Sequence, residues 1–299
     1  MRRRIASPML ARLRRALGTQ ALLERVAQLE DELRVRQSAV RPAPLYMGND
    51  TALCTTAFGA KLLVDTTDVV LAPWLLSDGV WEAHLTEWLR KTLRPGDVFV
   101  DVGANVGYFT VLGGHLVGPT GRVVAVEAHP RLAGLVQRNA VMNGMYGWVT
   151  THQAAAWSTP TSLSFHVRLH SSSGSSAGSI GADRLAHFHD REEVVEVTAI
   201  ALDDVLAYLP RVDVIKIDVE GAELQALRGL ERTIKANPAL VLELEWAPEL
   251  LGLVGDAAAD LLDLLESHGF HFRLLEEDLA PVDRARLTDL AYGNVVATR

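Results

Sequence analysis

The chain has 299 residues, 48% of them hydrophobic, one cysteine and a formal net charge of −8. A lone cysteine excludes an intrachain disulfide framework and points to a reducing, cytoplasmic setting; the longest apolar run, VVLAPWLL, falls far short of the roughly 18 residues of a membrane-spanning helix. Residues 1–41 carry ten arginines against four acids, about +6, so the remainder carries about −14 and is a poor nucleic-acid binder.

Residues 1–41 read as a basic helical arm. Leu22, Val26, Leu29 and Leu33 keep heptad spacing for under two heptads, while Leu10, Leu13 and Leu17 fall out of register across Gly18. Such an arm packs on its own subunit or forms a short coiled coil that pairs two copies as a homodimer. The opening MRRRIASPMLARLRRALG lacks the apolar middle of a secretory signal. RPAP at 41–44 breaks the helix, residues 42–78 read as a linker and N-terminal segment, and an α/β body spans 79–299.

Within that body a helix is predicted near 79–92, then a strand at 98–102, a helix at about 106–117 stopped by GPTG, and a buried strand, RVVAVE, at 122–127. Pro130 opens a helix whose apolar face is Leu132, Leu135, Val136 and Ala140. Strands follow at 149–155, 213–218 and 240–245, with helices at about 221–236 and 256–268. FHFRLL and GNVVATR read as two final strands without a helix between them. This alternation predicts a doubly wound, mainly parallel sheet with an antiparallel edge. Between 158 and 200, SLSFHVRL and EEVVEVTAI alternate as inserted strands around HSSSGSSAGSIGA, a small, polar, flexible stretch that is either a lid or a solvated loop.

Ligands of such sheets bind beyond the carboxyl ends of the strands. There the chain places Asp101, followed by Gly103-Ala104-Asn105-Val106-Gly107; Glu127; the AAAWS segment; and KIDVEGAE at 216–223. The loop is spaced G-x-N-x-G, so neither a strict dinucleotide fingerprint nor a phosphate loop is present. Glu127 suits a ribose, whose two hydroxyls a carboxylate accepts. Asp218 and Glu220 face one side if the strand continues, either as acid–base groups or, with Glu243, as ligands of Mg²⁺. Lys216 would neutralise one of them, and Glu220 could instead cap the next helix. Glu243 and Glu245 share a face of a central strand, where buried acids need partners. His129, His152, His166 and His170 lack metal-ligand spacing and read as surface or packing residues. Trp74, Trp81 and Trp88, spaced by seven, read as core.

DVGANVGYFT, VVAVEAHP and DVIKIDVEGAELQALRGL together resemble the FkbM family of class I S-adenosylmethionine-dependent methyltransferases, from about Leu75 to the C-terminus. The resemblance implies a Rossmann-like, doubly wound seven-stranded sheet with an antiparallel last strand, and S-adenosyl-L-methionine as cofactor. It assigns Asp101, Gly103, Asn105 and Gly107 to the wall around the methionine part and Glu127 to the ribose. The Ala155-Ala156 backbone and Trp157 would lie near the adenine, and Glu82 would help enclose the cofactor. Asp218 and Glu220 would be catalytic, with a divalent Mg ion as an option. The implied activity is O-methylation of a hydroxyl on a sugar or secondary metabolite, with a small-molecule or glycan acceptor. N-methylation, a nicotinamide-dependent oxidoreductase and a non-catalytic cofactor-binding scaffold are the alternatives.

Overall fold

The computed structural model describes residues 42–187 and 189–299; the predicted arm and its pairing lie outside the described residues. Residues 42–78 are more than a linker. Strands β1 (Leu45–Gly48), β2 (Thr51–Thr55) and β3 (Lys61–Asp65) form an antiparallel meander, followed by helix α1 (Leu71–Ser77). The helix expected near 79–92 is α2 (Ala83–Thr92).

Three parallel strands come next, β4 (Val98–Val102), β5 (Arg122–Glu127) and β6 (Val149–Gln153). They are joined by α3 (Tyr108–Val117) and α4 (Pro130–Met142). The inserted region builds its own three-stranded sheet, β7 (Ala155–Ala156), β8 (Thr161–Arg168) and β9 (Glu192–Ile200), in the order β7-β9-β8, with α5 (Ala182–His187) in its long connection. After α6 (Leu202–Leu206) the main sheet resumes with β10 (Val214–Ile217), then α7 (Glu223–Arg228), α8 (Glu231–Ala236) and β11 (Val241–Trp246). α9 (Pro248–Leu251), α10 (Ala258–Ser267), β12 (His271–Leu274), β13 (Ala280–Val282), α11 (Arg284–Asp289) and β14 (Gly293–Thr298) complete the chain.

The main sheet has the order β13-β12-β14-β11-β10-β4-β5-β6. The sheet has eight strands where seven were expected, the three-residue β13 extending one edge. The antiparallel β14 is not an edge strand: it pairs with both β11 and β12. Helix α11 separates β12 from β14, against the expectation of no helix there; its start is fixed by Asp283, whose carboxylate accepts from the Arg286 amide. The helix expected over 221–236 is two helices, α7 and α8, with Gly229-Leu230 between them.

Strand alternation divides the core between the two faces of the sheet. Val98, Val100, Val102, Ile215 and Ile217 pack with Leu224, Leu227 and Leu230 on one face. Phe99, Val123 and Val214 pack with Leu85, Leu89 and Leu112 on the other. The meander docks on this second face through two asparagines one turn apart, Asn139 on α4 and Asn143 at its C-cap. Asn139 Oδ1 accepts from the Leu63 amide and its Nδ2 donates to the Leu63 and Val106 carbonyls. Asn143 makes the corresponding pair with Lys61. Residues i and i+4 on a helix are spaced closely enough to meet i and i+2 on a strand, so the two side chains pair the free edge of β3 as another strand would.

Candidate active site

The order of strands reverses between β4 and β10, and a cleft opens beyond their carboxyl ends, where a doubly wound sheet binds ligands. It encloses about 1250 Å³, its open mouth included, and its walls come from almost every segment singled out by sequence. Gly103, Asn105, Glu127, Ala155, Ala156, Trp157, Asp218, Glu220 and Glu82 all line it. Asp101, Gly107 and Glu243 do not.

The glycine loop and the next strand are joined directly. Asn105 takes a left-handed conformation, φ 51°, which asparagine tolerates better than most residues, and its amide donates to Glu127 Oε2 at 2.7 Å. The His129 amide donates to Oε1 at 2.8 Å. A carboxylate offers about four acceptor positions, so each oxygen retains capacity for a ligand hydroxyl. Burial raises Glu127 to about 7, with the two amides opposing.

The glycines also serve backbone packing. A Cβ on Gly103 would lie 1.7 Å from the Asp218 carbonyl oxygen, so Gly103 lets the ends of β4 and β10 touch. Gly107 accommodates Val136 of α4, whose Cα would be 3.1 Å from such a Cβ. Asp101 sits beneath the wall, fully buried, with Thr110 Oγ1 donating to its Oδ2 at 2.6 Å. Burial raises its proton affinity, opposed by Lys216 and Thr110.

Asp218 follows β10 directly. Its Oδ2 accepts from Lys216 Nζ at 2.9 Å and its side chain is 26% exposed. The following turn is held from within: Glu223 Oε1 accepts from the Val219 and Gly221 amides. Glu223, which the sequence reading passed over, therefore does the local bracing that Glu220 would have done as a cap. Glu220 itself is left-handed, φ 52°, and carboxylate oxygens of Asp218, Glu220 and Glu245 lie within 4.8 Å of one another. The predicted metal trio is corrected accordingly. Glu243 points to the interior, fully buried with neither oxygen hydrogen-bonded, and Glu245 stands in its place. Burial, then the charge of Asp218, raises both Glu220 and Glu245 well above the usual carboxylate range. Burial and Asp218 likewise lift Glu82 to about 7.

Other lining residues escaped the sequence reading. Tyr292 precedes β14 and lines the cleft; burial, then the charge of Glu245, pushes its hydroxyl upward. Ser172, Ser173, Ser175 and Ala177 come from the polar stretch expected to be flexible. That stretch is packed: Ser171, Ser172, Ser175 and Ser176 are buried, and Asp68 Oδ2 accepts from Ser172 Oγ and the Ser173 amide. Of the three tryptophans, only Trp88 is core; Trp74 is 58% exposed and Trp81 lines the cleft. His129 caps α4, its Nδ1 accepting from the Arg131 amide. Burial lowers the proton affinity of both His129 and His152.

Five carboxylates, Glu82, Glu127, Asp218, Glu220 and Glu245, line the cleft against one ammonium, Lys216. A sulfonium or ammonium would favour the charged forms of these acids, whereas a pyrophosphate would oppose them. Buried Glu82 Oε2 and Asn105 Oδ1 have no hydrogen-bond partner, and apolar Val102, Val126, Leu132 and Trp157 supply walls for a flat ring. This donor set fits S-adenosylmethionine and not a dinucleotide. A doubly wound sheet with β14 inserted antiparallel beside β11, and an acid-lined nucleoside cleft at its switch point, defines the methyltransferase class.

The methyltransferase FkbM domain matches residues 101–272. The chain is 30% identical over 205 residues to the 31-O-demethyl-FK506 methyltransferase FkbM of Streptomyces tacrolimicus, covering 60% of this chain and 74% of that one. It is 31% identical over 203 residues to Methyltransferase 1 of Beauveria bassiana, covering 63% and 78%. It is 21% identical over 223 residues to the hexuronic acid methyltransferase AglP of Haloferax volcanii, covering 75% and 83%. The chain belongs to the FkbM family of S-adenosylmethionine-dependent methyltransferases. Among the described residues no helix is long and apolar enough to cross a membrane.

Proposed function

We propose that the enzyme O-methylates a hydroxyl of a small, polyhydroxylated acceptor such as a sugar or secondary metabolite, with Asp218 as the general base. The observation that carries this reading is the placement of Asp218: it lines the cleft directly beyond β10, and one carboxylate oxygen is held by Lys216. No hydrogen bond from the described residues occupies Oδ1. Glu127, Asn105, Gly103, the Ala155-Ala156 backbone and Trp157 would hold S-adenosylmethionine, and Glu82 would close its near side. When bound, that cofactor supplies an activated methyl group on a sulfonium.

The chain must orient the acceptor, exclude water and take up a proton. An aliphatic hydroxyl is a weak nucleophile until its proton is drawn off, and Asp218 Oδ1 is the acceptor for it. Trp81 and Tyr292 offer ring faces for a sugar, and Glu82, Glu220 and Glu245 accept its further hydroxyls. The acidity of this end supports a neutral or cationic acceptor over a uronic acid, although one relative is named for hexuronic acid.

The test is methyl transfer from labelled S-adenosylmethionine to a panel of neutral, acidic and amino sugars and hydroxylated metabolites. Asp218→Asn should retain cofactor binding and lose a factor on the order of 10² or more in kcat, the usual weight of a general base. Wild-type turnover in that variant would remove Asp218 from the reaction. A second reading is favoured by the 4.8 Å grouping of Asp218, Glu220 and Glu245: these carboxylates hold a divalent cation that binds the acceptor oxygen and acidifies it. Activity abolished by a chelator and restored by Mg²⁺ in the same assay would select that reading.

A further inference from the structure

Asp101, Lys216 and Glu243 are in-register neighbours on the three adjacent strands β4, β10 and β11, and side chains in register on a parallel sheet share a face. All three are almost wholly buried, at 0%, 1% and 0% exposure. None of them touches the ligand side in the same way: of the row, only Lys216 lines the cleft. Its Nζ lies 5.2 Å from the centroid of the Phe109 ring and 2.9 Å from Asp218 Oδ2.

A buried ammonium is costly unless compensated. Here burial alone would lower its proton affinity, and Asp218, Asp101, Glu243 and Glu82 together outweigh that. Asp218 contributes most to this, and neither flanking acid takes a hydrogen bond from Lys216: Asp101 Oδ1 and both oxygens of Glu243 have no hydrogen-bond partner. The ammonium is committed to Asp218 instead.

We propose that Lys216 is the positioning residue of the reaction: buried in the strand row between Asp101 and Glu243 and seated on Phe109, it clamps Asp218 Oδ2 so that Oδ1 alone faces the acceptor. The inference rests on the reading of Asp218 as the base. The clamp opposes a strong local bias. Glu82 ahead of α2, Glu220 and Glu223 after β10, Glu245 on β11 and Tyr292 ahead of β14 all interact unfavourably with the Asp218 carboxylate. Lys216 is the one cation on the cleft that counters them among the described residues.

Lys216→Met alone strands two buried acids and is expected to fold poorly. The working variant is therefore the neutral row Asp101→Asn/Lys216→Met/Glu243→Gln, compared with Asp101→Asn/Glu243→Gln, which keeps Lys216. S-adenosylhomocysteine affinity is measured on each protein, and kcat and the acceptor KM are measured with an acceptor from the panel. In the triple variant kcat should fall at least about 30-fold below the double variant, with S-adenosylhomocysteine affinity and acceptor KM each within about threefold, since a clamp on the base acts on the chemical step and not on binding. A folded triple variant whose kcat matches the double variant would overturn the clamp and leave Lys216 a packing residue. Full activity in Asp218→Asn would instead sink the underlying assignment, whatever the triple variant shows.

Discussion

Gly103 lines the cleft and carries a packing duty that its place in the sequence did not show. Its φ is +79° and a Cβ there would lie 1.7 Å from the Asp218 carbonyl oxygen. Gly103→Ala has no rotamer that relieves a clash with backbone, so it should cost about 3 kcal/mol or more, or prevent folding; the melting temperature of the purified variant is the check. Glu127 was legible in its place, at the end of β5 and lining the cleft, because an acid ending a buried strand has few other reasons to be there. Glu243 lies beneath the cleft while Glu245, two residues on along the same face, lines it, because sequence reports the face two strand residues share but not how deep each one sits. Glu223 was missed because its carboxylate works on two amides of its own turn, an interaction that depends on the turn geometry.

At the scale of elements, long periodic segments were readable and short ones were not. β4, β5, α3, α4 and α10 stand where hydrophobic patterning puts them, since each buries one continuous face. The meander β1–β3 was lost because its first strand is exposed, LYM giving no alternation, and its anchoring depends on Asn139 and Asn143 of a distant helix. Asn139 is fully buried and makes three hydrogen bonds to backbone. Asn139→Ala leaves the Leu63 amide and two carbonyls unpaired and should cost about 2–4 kcal/mol, seen as a melting temperature lower by roughly 6–12 °C. Faster protease cleavage within residues 45–65 should accompany it, because the edge of β3 loses its partner.

For the whole molecule, the cleft concentrates acids that the fold buries and that a cationic ligand relieves. Glu82, Glu127 and Glu223 each rise from 4.5 to about 7, burial being the main cause in every case. An acid whose folded value exceeds its unfolded one stabilises the fold through its protonated form. That contribution is complete below about 4.5 and disappears as pH climbs through about 7. Asp190, lowered beneath 3.8 by its backbone amides and Arg168 against the opposing effect of burial, acts in the opposite sense only at more acid pH. The ligand-free enzyme should therefore lose at least about 5 °C in melting temperature between pH 5 and pH 7.5; a flat or rising curve over that window would contradict the burial of ionisable acids described above. Composition foretold an acidic body but not that five of its carboxylates converge on one cleft, because they come from elements spread between residues 82 and 245.

The most direct single measurement is calorimetric binding of S-adenosylhomocysteine to the wild-type protein and to Glu127→Ala, with melting temperature confirming that the variant is folded. Saturable one-to-one binding that weakens at least about tenfold in the variant is the expected result and fixes the nucleoside end of the cleft. Undiminished affinity in a folded Glu127→Ala protein, or no binding to the wild type, would contradict the placement of the methyl donor beyond β4 and β5.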